Sequence, residues 1–161
     1  MKKDIFHIIG IDCATVSGKR GVAVAMWNDE CIVKTAKVGS SDADIIDIVR
    51  GCIQYGGRTL LALDAPLGWP EPLGRSLIGH RAGEHIDTSA HDLFRRETDR
   101  FVKKVYNLQP LDVGADRIAR TAHTALNLLH TVRQKTGEVV TCRCQFLHPI
   151  KYQILAPQPL S

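Results

Sequence analysis

The chain has 161 residues, a net charge of +4 and a hydrophobic fraction of 44%. A polypeptide of this size and composition is expected to fold as a single domain, residues 1–161, with a substantial core. No apolar run reaches the roughly 18 residues that a membrane-spanning helix needs, and the small positive excess permits an acidic partner such as nucleic acid without requiring one.

The N-terminus and the cysteines indicate where the protein resides. The opening MKKDIFHII contains two lysines, but an acid follows them, the apolar stretch is short, and no small-residue cleavage site follows. The five cysteines are scattered and odd in number, which is typical of reduced thiols. The sequence therefore predicts a cytoplasmic protein.

The first third of the chain predicts an antiparallel meander of three strands. An apolar run at 5–12 is typical of a central strand buried on both faces. Two further strands are predicted at 21–27 and 31–38, and Asn28 and Asp29 form the turn signal between them.

A helix and a fourth strand are predicted next. Ser41 is a good N-cap, Asp44 lies where an abbreviated capping box needs it, and Gly56 and Gly57 end the helix. The apolar face of this helix consists of Ile45, Ile48, Val49, Cys52 and Ile53. The run at 59–66 then predicts a second buried strand that ends in an acid.

The remaining chain predicts a long loop, two helices and a less regular end. The Gly- and Pro-containing stretch 67–85 is predicted to be a loop, and 88–106 to be one helix. An amphipathic helix is predicted over 115–137, with an apolar stripe formed by Ile118, Ala122, Ala125, Leu126, Leu129 and Val132. A fifth strand is expected at 138–147, and 148–161 is expected to be irregular.

The stretch GIDCATVSGKRGVAVA, residues 10–25, has the composition of a phosphate-binding loop but not its spacing. A Walker-type loop needs Gly, four residues, and then Gly-Lys-Ser/Thr. Here Arg20 follows Gly18-Lys19, and Cys13 occupies the position of the first glycine. The stretch is therefore interpreted as a strand, a polar turn and another strand.

Two predicted strands end in acids, Asp12 and Asp64. The helix between the meander and the fourth strand can place that strand parallel to the first and beside it, about 4.8 Å away. Two carboxylates at such a distance repel each other unless a cation joins them, and oxygen ligands favour Mg²⁺ or Mn²⁺. Paired hard metal ions suit phosphoryl displacement. The alternative is that each acid is only a turn former or a helix cap.

Four motifs together carry a family resemblance: IGIDCAT with GVAVA behind it, ALDAPLGWP, and FRRETDR. Across residues 5–137 the chain resembles the family numbered 429 among domains of unknown function, described as predicted nucleases of ribonuclease H-like fold. The resemblance implies an α/β fold with a ribonuclease H-like mixed sheet, a three-stranded antiparallel meander plus a parallel strand, flanked by helices.

The resemblance also implies a metal-dependent phosphodiester site. Asp12 and Asp64 match the two strand-end acids of the family, and Arg96 and Asp99 match its Arg-x-Thr-Asp element. Asp12, Asp64 and Asp99 are then expected to hold Mg²⁺ or Mn²⁺, with Arg96 gripping the scissile phosphate of a DNA or RNA substrate. The alternative for Arg96 and Asp99 is an ion pair within a helix on a solvated face.

The C-terminal segment, about 138–161, departs from the family. Family members continue into a strand with a Glu-x-x-Pro-type element and a further helix, whereas this chain has no acid after Glu138. A truncated or divergent end is expected to leave the site incomplete and a sheet edge uncovered, which would favour a homodimer.

Other features leave alternatives open. Cys142, Cys144 and His148 are candidate zinc ligands without a fourth partner. A basic region beside Trp69 could follow a nucleic-acid backbone or form a mixed solvated face; it comprises Arg75, Arg81, Arg95, Arg96, Arg100, Lys103 and Lys104. The leading hypothesis is a two-metal nuclease. The alternatives are a nucleotide-binding half domain of the actin or sugar-kinase type and a non-catalytic binding or scaffold protein.

Overall fold

A computed structural model describes residues 5–114, 116–143 and 152–155. Its strands are β1 (Phe6–Asp12), β2 (Arg20–Trp27), β3 (Cys31–Ser40), β4 (Arg58–Asp64), β5 (Val140–Arg143) and β6 (Tyr152–Leu155). Its helices are α1 (Asp42–Tyr55), α2 (Glu71–Leu77), α3 (Ala90–Phe94), α4 (Glu97–Tyr106) and α5 (Asp116–Thr136).

The strands form one sheet in the order β3-β2-β1-β4-β6-β5. β2 is antiparallel to both β1 and β3, and β4 is parallel to β1. β6 is antiparallel to β4 and to β5. The order 3-2-1-4 with β1 parallel to β4, flanked by helices, is the ribonuclease H-like α/β topology, so the predicted fold class is confirmed.

The two faces of the central strands differ in burial. On one face of β1, His7, Ile9 and Ile11 are buried, and their partners Leu61 and Leu63 on β4 are buried as well. The alternate residues of both strands are only partly buried. The prediction that β1 is buried on both faces was wrong, because only one of its faces is completely buried. Asp12 lies on the other face, with the partly buried residues.

β3 lies at one end of the described sheet. Nine of its ten residues are exposed and only Ser40 is buried. Ile32, Val33 and Val38 are among the exposed side chains. Its pairing with β2 shifts register between Val24 and Ala25, and Lys34 is the residue left out of the pairing. A bulge of this kind bends and twists an edge strand.

α1 begins and ends as its capping residues predict. The Ser41 backbone N–H donates to Asp44 Oδ2 at 2.8 Å, and the Asp44 N–H donates to Ser41 Oγ at 3.2 Å. The hydrogen bonds from Ser41 hold the pKa of the Asp44 carboxyl below its usual range. Ile45, Ile46 and Val49 form the buried face of the helix.

Two predictions in the middle of the chain were wrong. The segment 88–106 is not one helix, because the backbone at Arg95 and Arg96 is extended and separates α3 from α4. The segment 67–85 is not all loop, because it contains α2. That helix starts after Pro70 and has a second proline near its start, where a missing N–H costs nothing.

The C-terminal part also differs in detail. α5 buries Ala122, Ala125, Leu129 and Val132 as expected, and Leu128 in addition. The predicted fifth strand is β5, but it is shorter than expected over the residues described. β6 is a strand within 148–161, where an irregular end was expected, because it pairs with both β4 and β5. The rest of that segment lies outside the described residues.

The chain divides into two compact units. One comprises residues 1–65 with 123–161, and the other comprises residues 66–122. The expectation of a single domain stays a prediction. No helix in the part of the chain that the structure describes has the length and apolar character needed to cross a bilayer.

We expect Gly57→Ala to destabilise the protein more than Gly56→Ala. Both glycines have positive φ, at 92° and 91°, and an alanine there costs about 1–3 kcal/mol. A Cβ at Gly57 would also lie 2.5 Å from the Ile5 carbonyl oxygen, whereas one at Gly56 meets nothing within 4 Å. The clash should add roughly 1–3 kcal/mol.

Urea unfolding of both variants measures the difference, with Gly56→Ala as the matched control. Equal losses in the free energy of unfolding would show that the close approach of residues 5 and 57 does not constrain the start of β4.

Candidate functional site

Asp12 and Asp64 are the last residues of two adjacent parallel strands. The register of β1 with β4 pairs Asp12 directly with Asp64. Paired residues of neighbouring strands project to the same face, so both side chains lie on one face at one edge of the sheet. Both are exposed. The predicted convergence of these two acids is therefore present in the structure.

Gly21 lies on the other side of Asp12. β2 pairs Gly21 with Asp12. A Cβ at Gly21 would lie 3.3 Å from the Asp12 Cβ and 3.8 Å from Oδ2, so the glycine leaves the flank of the Asp12 side chain open. No hydrogen bond or ion pair to either carboxylate is formed by residues 5–114, 116–143 or 152–155. The two acids are thus uncompensated within this part of the protein.

Cys13 and Arg20 are buried next to the two acids. Cys13 is 4% exposed and Arg20 is 2% exposed. Burial raises the pKa of the Cys13 thiol to about 11; the Arg20 guanidinium acts against this shift, and the charges of Asp64 and Asp12 add to it. Burial also lowers the pKa of Arg20. The low exposure of both side chains shows that the buried side of this strand end has little contact with water.

The Arg20 side chain joins three chain segments. It starts β2, its Nε donates to the Ala14 carbonyl at 3.2 Å, and its Nη1 forms an ion pair with Asp42 at the start of α1. The Ala14 N–H in turn donates to the Asp12 carbonyl at 3.1 Å. Sequence reasoning missed this residue, because an arginine after Gly18-Lys19 carries no signal that distinguishes a buried side chain from an exposed one.

The donor set suits a divalent cation only in part. Two exposed carboxylates with no cation partner are oxygen ligands of the kind that Mg²⁺ and Mn²⁺ prefer. Within the described ranges no group of three or more His, Cys, Asp or Glu side chains is arranged to hold a metal ion. Asp12 and Asp64 would supply two carboxylate ligands to such an ion, and both the ion and the two-ion arrangement stay predictions.

The partly buried Arg96 and the buried Asp99 form a pair at the start of α4, in the unit of residues 66–122. The Arg96 backbone N–H and Nε both donate to Asp99 Oδ2, at 3.0 and 2.8 Å, and Nη2 donates to Oδ1 at 2.6 Å. The Asp99 side chain is only 5% exposed. Both carboxylate oxygens are therefore engaged, and the expected role of Asp99 as a metal ligand stays a prediction.

This arrangement modifies the alternative expected for the pair. Arg96 and Asp99 do form an ion pair, but it caps the start of a helix in a buried position instead of lying on a solvated face. The expected grip of Arg96 on a phosphate also stays a prediction, because the same guanidinium holds Asp99.

The remaining candidate sites receive less support. Several cations of the basic region pair with acids, including Arg95 with Asp112 at 2.9 Å and Arg100 with Asp92 at 2.7 Å, which favours the mixed-face alternative. For the proposed zinc site, Cys144 and His148 lie outside the described residues.

Comparisons with known proteins add a family and no named relative. The model of a family described as "Protein of unknown function (DUF429)" matches residues 10–149. No curated protein and no solved structure gives a match. The match covers most of the chain and confirms the resemblance found in the sequence.

We expect Asp99→Ala to destabilise the protein strongly. The substitution would leave the partly buried Arg96 guanidinium without its partner and remove the cap of α4, at a cost of about 3 kcal/mol. Asp92→Ala is the matched control, since Asp92 occupies the same position in α3, bonded to Ser89 Oγ at 2.7 Å, but is partly exposed. Urea unfolding should show the larger loss for Asp99→Ala; equal losses would contradict the structural role of the pair.

We expect the alkylation of Cys13 to accelerate with pH far beyond the range of an ordinary thiol. The thiolate is the reactive form, and with a pKa of about 11 its concentration should rise nearly tenfold per pH unit up to about pH 10. A free cysteine with a pKa of about 8.5 levels off above about pH 9. Iodoacetamide labelling followed by peptide mass mapping measures the profile, and a plateau near pH 9 would contradict the burial of this thiol.

Proposed function

This chain belongs to the DUF429 family, and from that premise we propose that it is a metal-dependent nuclease that hydrolyses phosphodiester bonds. One observation carries the proposal. The parallel register of β1 and β4 places Asp12 directly beside Asp64 at the exposed carboxyl ends of the two strands. The proposed cofactor is Mg²⁺ or Mn²⁺, and the proposed substrate class is nucleic acid, DNA or RNA.

The charge on the two strand ends supports a cation at this place. The two strands that carry these acids lie about 4.8 Å apart, so their carboxylates repel each other, and a shared cation relieves this repulsion. In the described chain neither acid has a basic side chain bonded to it. Folding therefore builds a site whose own electrostatics attract a divalent ion.

Asp12 and Asp64 hold and orient the ion in this proposal. A bound Mg²⁺ or Mn²⁺ supplies Lewis-acid stabilisation of phosphate charge and increases the acidity of water. Gly21 leaves the flank of Asp12 free of side-chain atoms, so a bulky polyanionic substrate can approach from that side. Since both acids are exposed, a polymer can reach them without a deep cavity.

The net charge of +4 is consistent with a polyanionic substrate. Arg96 and Asp99 remain part of the proposal only as the family resemblance implies: Arg96 as a phosphate contact and Asp99 as an additional ligand. To act so, the guanidinium and the carboxylate would have to exchange some of their mutual hydrogen bonds for bonds to substrate and ion.

A second candidate has an observation of its own. The described residues bring two carboxylates together and no third ligand, which suits a protein that binds a divalent ion without catalysing hydrolysis. The nucleotide-binding half-domain alternative has no such observation in its favour.

Asp12→Asn and Asp64→Asn should each abolish binding and cleavage while preserving the fold. Each change removes one negative charge from the proposed ligands, and we expect Mg²⁺-dependent cleavage to fall by about 100-fold or more. The thermal unfolding temperature should stay constant or rise, because the repulsion between the two acids disappears. Calorimetric titration with Mn²⁺ and cleavage of fluorescent DNA and RNA oligonucleotides are the measurements.

Asp47→Asn is the matched control, because Asp47 is an exposed acid of α1 whose side chain is 75% exposed. It should behave as the wild type. Cleavage that survives in the purified Asp12→Asn variant would defeat the nuclease proposal. Binding of Mn²⁺ by the wild type without cleavage of any oligonucleotide would favour the second candidate.

A further inference from the structure

We propose that Arg20 is a positioning residue for Asp12, which deepens the proposed function and rests on it. Arg20 does not lie on the exposed side of the strand ends, where the two acids lie. It is buried beside Cys13, at the same strand end. Its effect on the site is indirect and runs through the backbone of the hairpin between β1 and β2.

Two backbone routes connect Arg20 to Asp12. In the first, Arg20 Nε holds the Ala14 carbonyl at 3.2 Å, and the Ala14 N–H holds the Asp12 carbonyl at 3.1 Å. In the second, Gly21 follows Arg20 directly and is the β2 partner of Asp12. The Arg20 side chain thus restrains the peptide group that follows Asp12, and its backbone continues into the β2 residue that pairs with Asp12.

The acid that pairs with Arg20 lies in another element. Asp42, the first residue of α1, forms the ion pair with Arg20 Nη1. The helix start itself is held by the capping bonds of Ser41 and Asp44. Because the guanidinium is a planar fork, one side chain can bond Ala14 and Asp42 at once, which a lysine ammonium does with less geometric definition.

The bonds of Arg20 matter because the loop between β1 and β2 is exposed. Thr15, Val16, Ser17, Gly18 and Lys19 are all exposed, so the loop next to Asp12 has little burial of its own to order it. Arg20 ties the start of this loop to α1, because its Nε bonds the Ala14 carbonyl and its Nη1 pairs with Asp42. Without them, we expect the loop and the carboxyl end of β1 to sample several positions.

Cys13 is a built-in reporter of this anchor. It follows Asp12 in sequence and is buried beside Arg20, so its alkylation requires the strand end to open. In Arg20→Met, which keeps an unbranched apolar stem but is shorter and lacks the donors, we expect Cys13 alkylation at least 10-fold faster than in the wild type. We expect the dissociation constant for Mn²⁺ to rise at least 10-fold in the same variant.

Arg50→Met is the matched control, since Arg50 also pairs with an aspartate of α1, at 3.7 Å, but has a side chain that is 42% exposed. Both readouts should equal those of the wild type. Arg20→Lys carries the test if Arg20→Met fails to fold, because it keeps the charge for Asp42 but not the fork that reaches Ala14. Peptide mapping assigns the label to Cys13, and titration calorimetry gives the affinity for Mn²⁺.

The outcomes separate this inference from the proposed function. A folded Arg20 variant with unchanged Cys13 labelling, or with faster labelling and unchanged Mn²⁺ affinity, would overturn the positioning role while leaving the Asp12–Asp64 site intact. A wild-type protein that binds no Mn²⁺ would overturn the proposed function, and the positioning role would fall with it.

Discussion

The parallel register between β1 and β4 is the constraint on which the site depends. Side chains alternate between the two faces of a strand, so a slip of one residue would move Asp64 to the opposite face from Asp12. The register is specified by burial, because the slipped pairing would expose Leu61 and Leu63, which now lie in the core. It is also specified where β4 starts, by the bond from the Arg58 N–H to the Ile5 carbonyl. The energy of the core therefore holds the two acids together against their repulsion.

The strand end has two chemically different sides. On the exposed side, two carboxylates lie beside a glycine and have no cation bonded to them in the described chain. On the buried side, Arg20 and Cys13 lie in an environment that disfavours the ionised thiol. In the unit of residues 66–122, by contrast, Arg96 donates hydrogen bonds to both carboxylate oxygens of Asp99. The motif residues thus divide between the two free acids and a pair that completes a helix start.

Much of the fold could be predicted because it follows from local patterns. The apolar runs of β1, β2 and β4, the Ser41 cap and the glycines after α1 each carry a signal within a few residues, and their order restricts the topology. Asp12 and Asp64 were found in the same way, as acids that end apolar runs. The break between α3 and α4 could not be found, because it depends on bonds between Arg96 and Asp99 that propensity does not report. The burial of Arg20 depends on Asp42, which lies in a different element.

The outer edge of β3 has a consequence for the behaviour of the protein in solution. Ile32, Val33 and Val38 are exposed along a strand whose far side pairs with nothing in the described sheet. Such an edge is a template for intermolecular sheet growth, and lysines and bulges are the usual means of blocking it. Lys34 at the bulge and Lys37 supply both here. The two ammonium groups thereby oppose the pairing of this edge with a second chain, and concentrated salt, which screens their charge, should weaken that opposition.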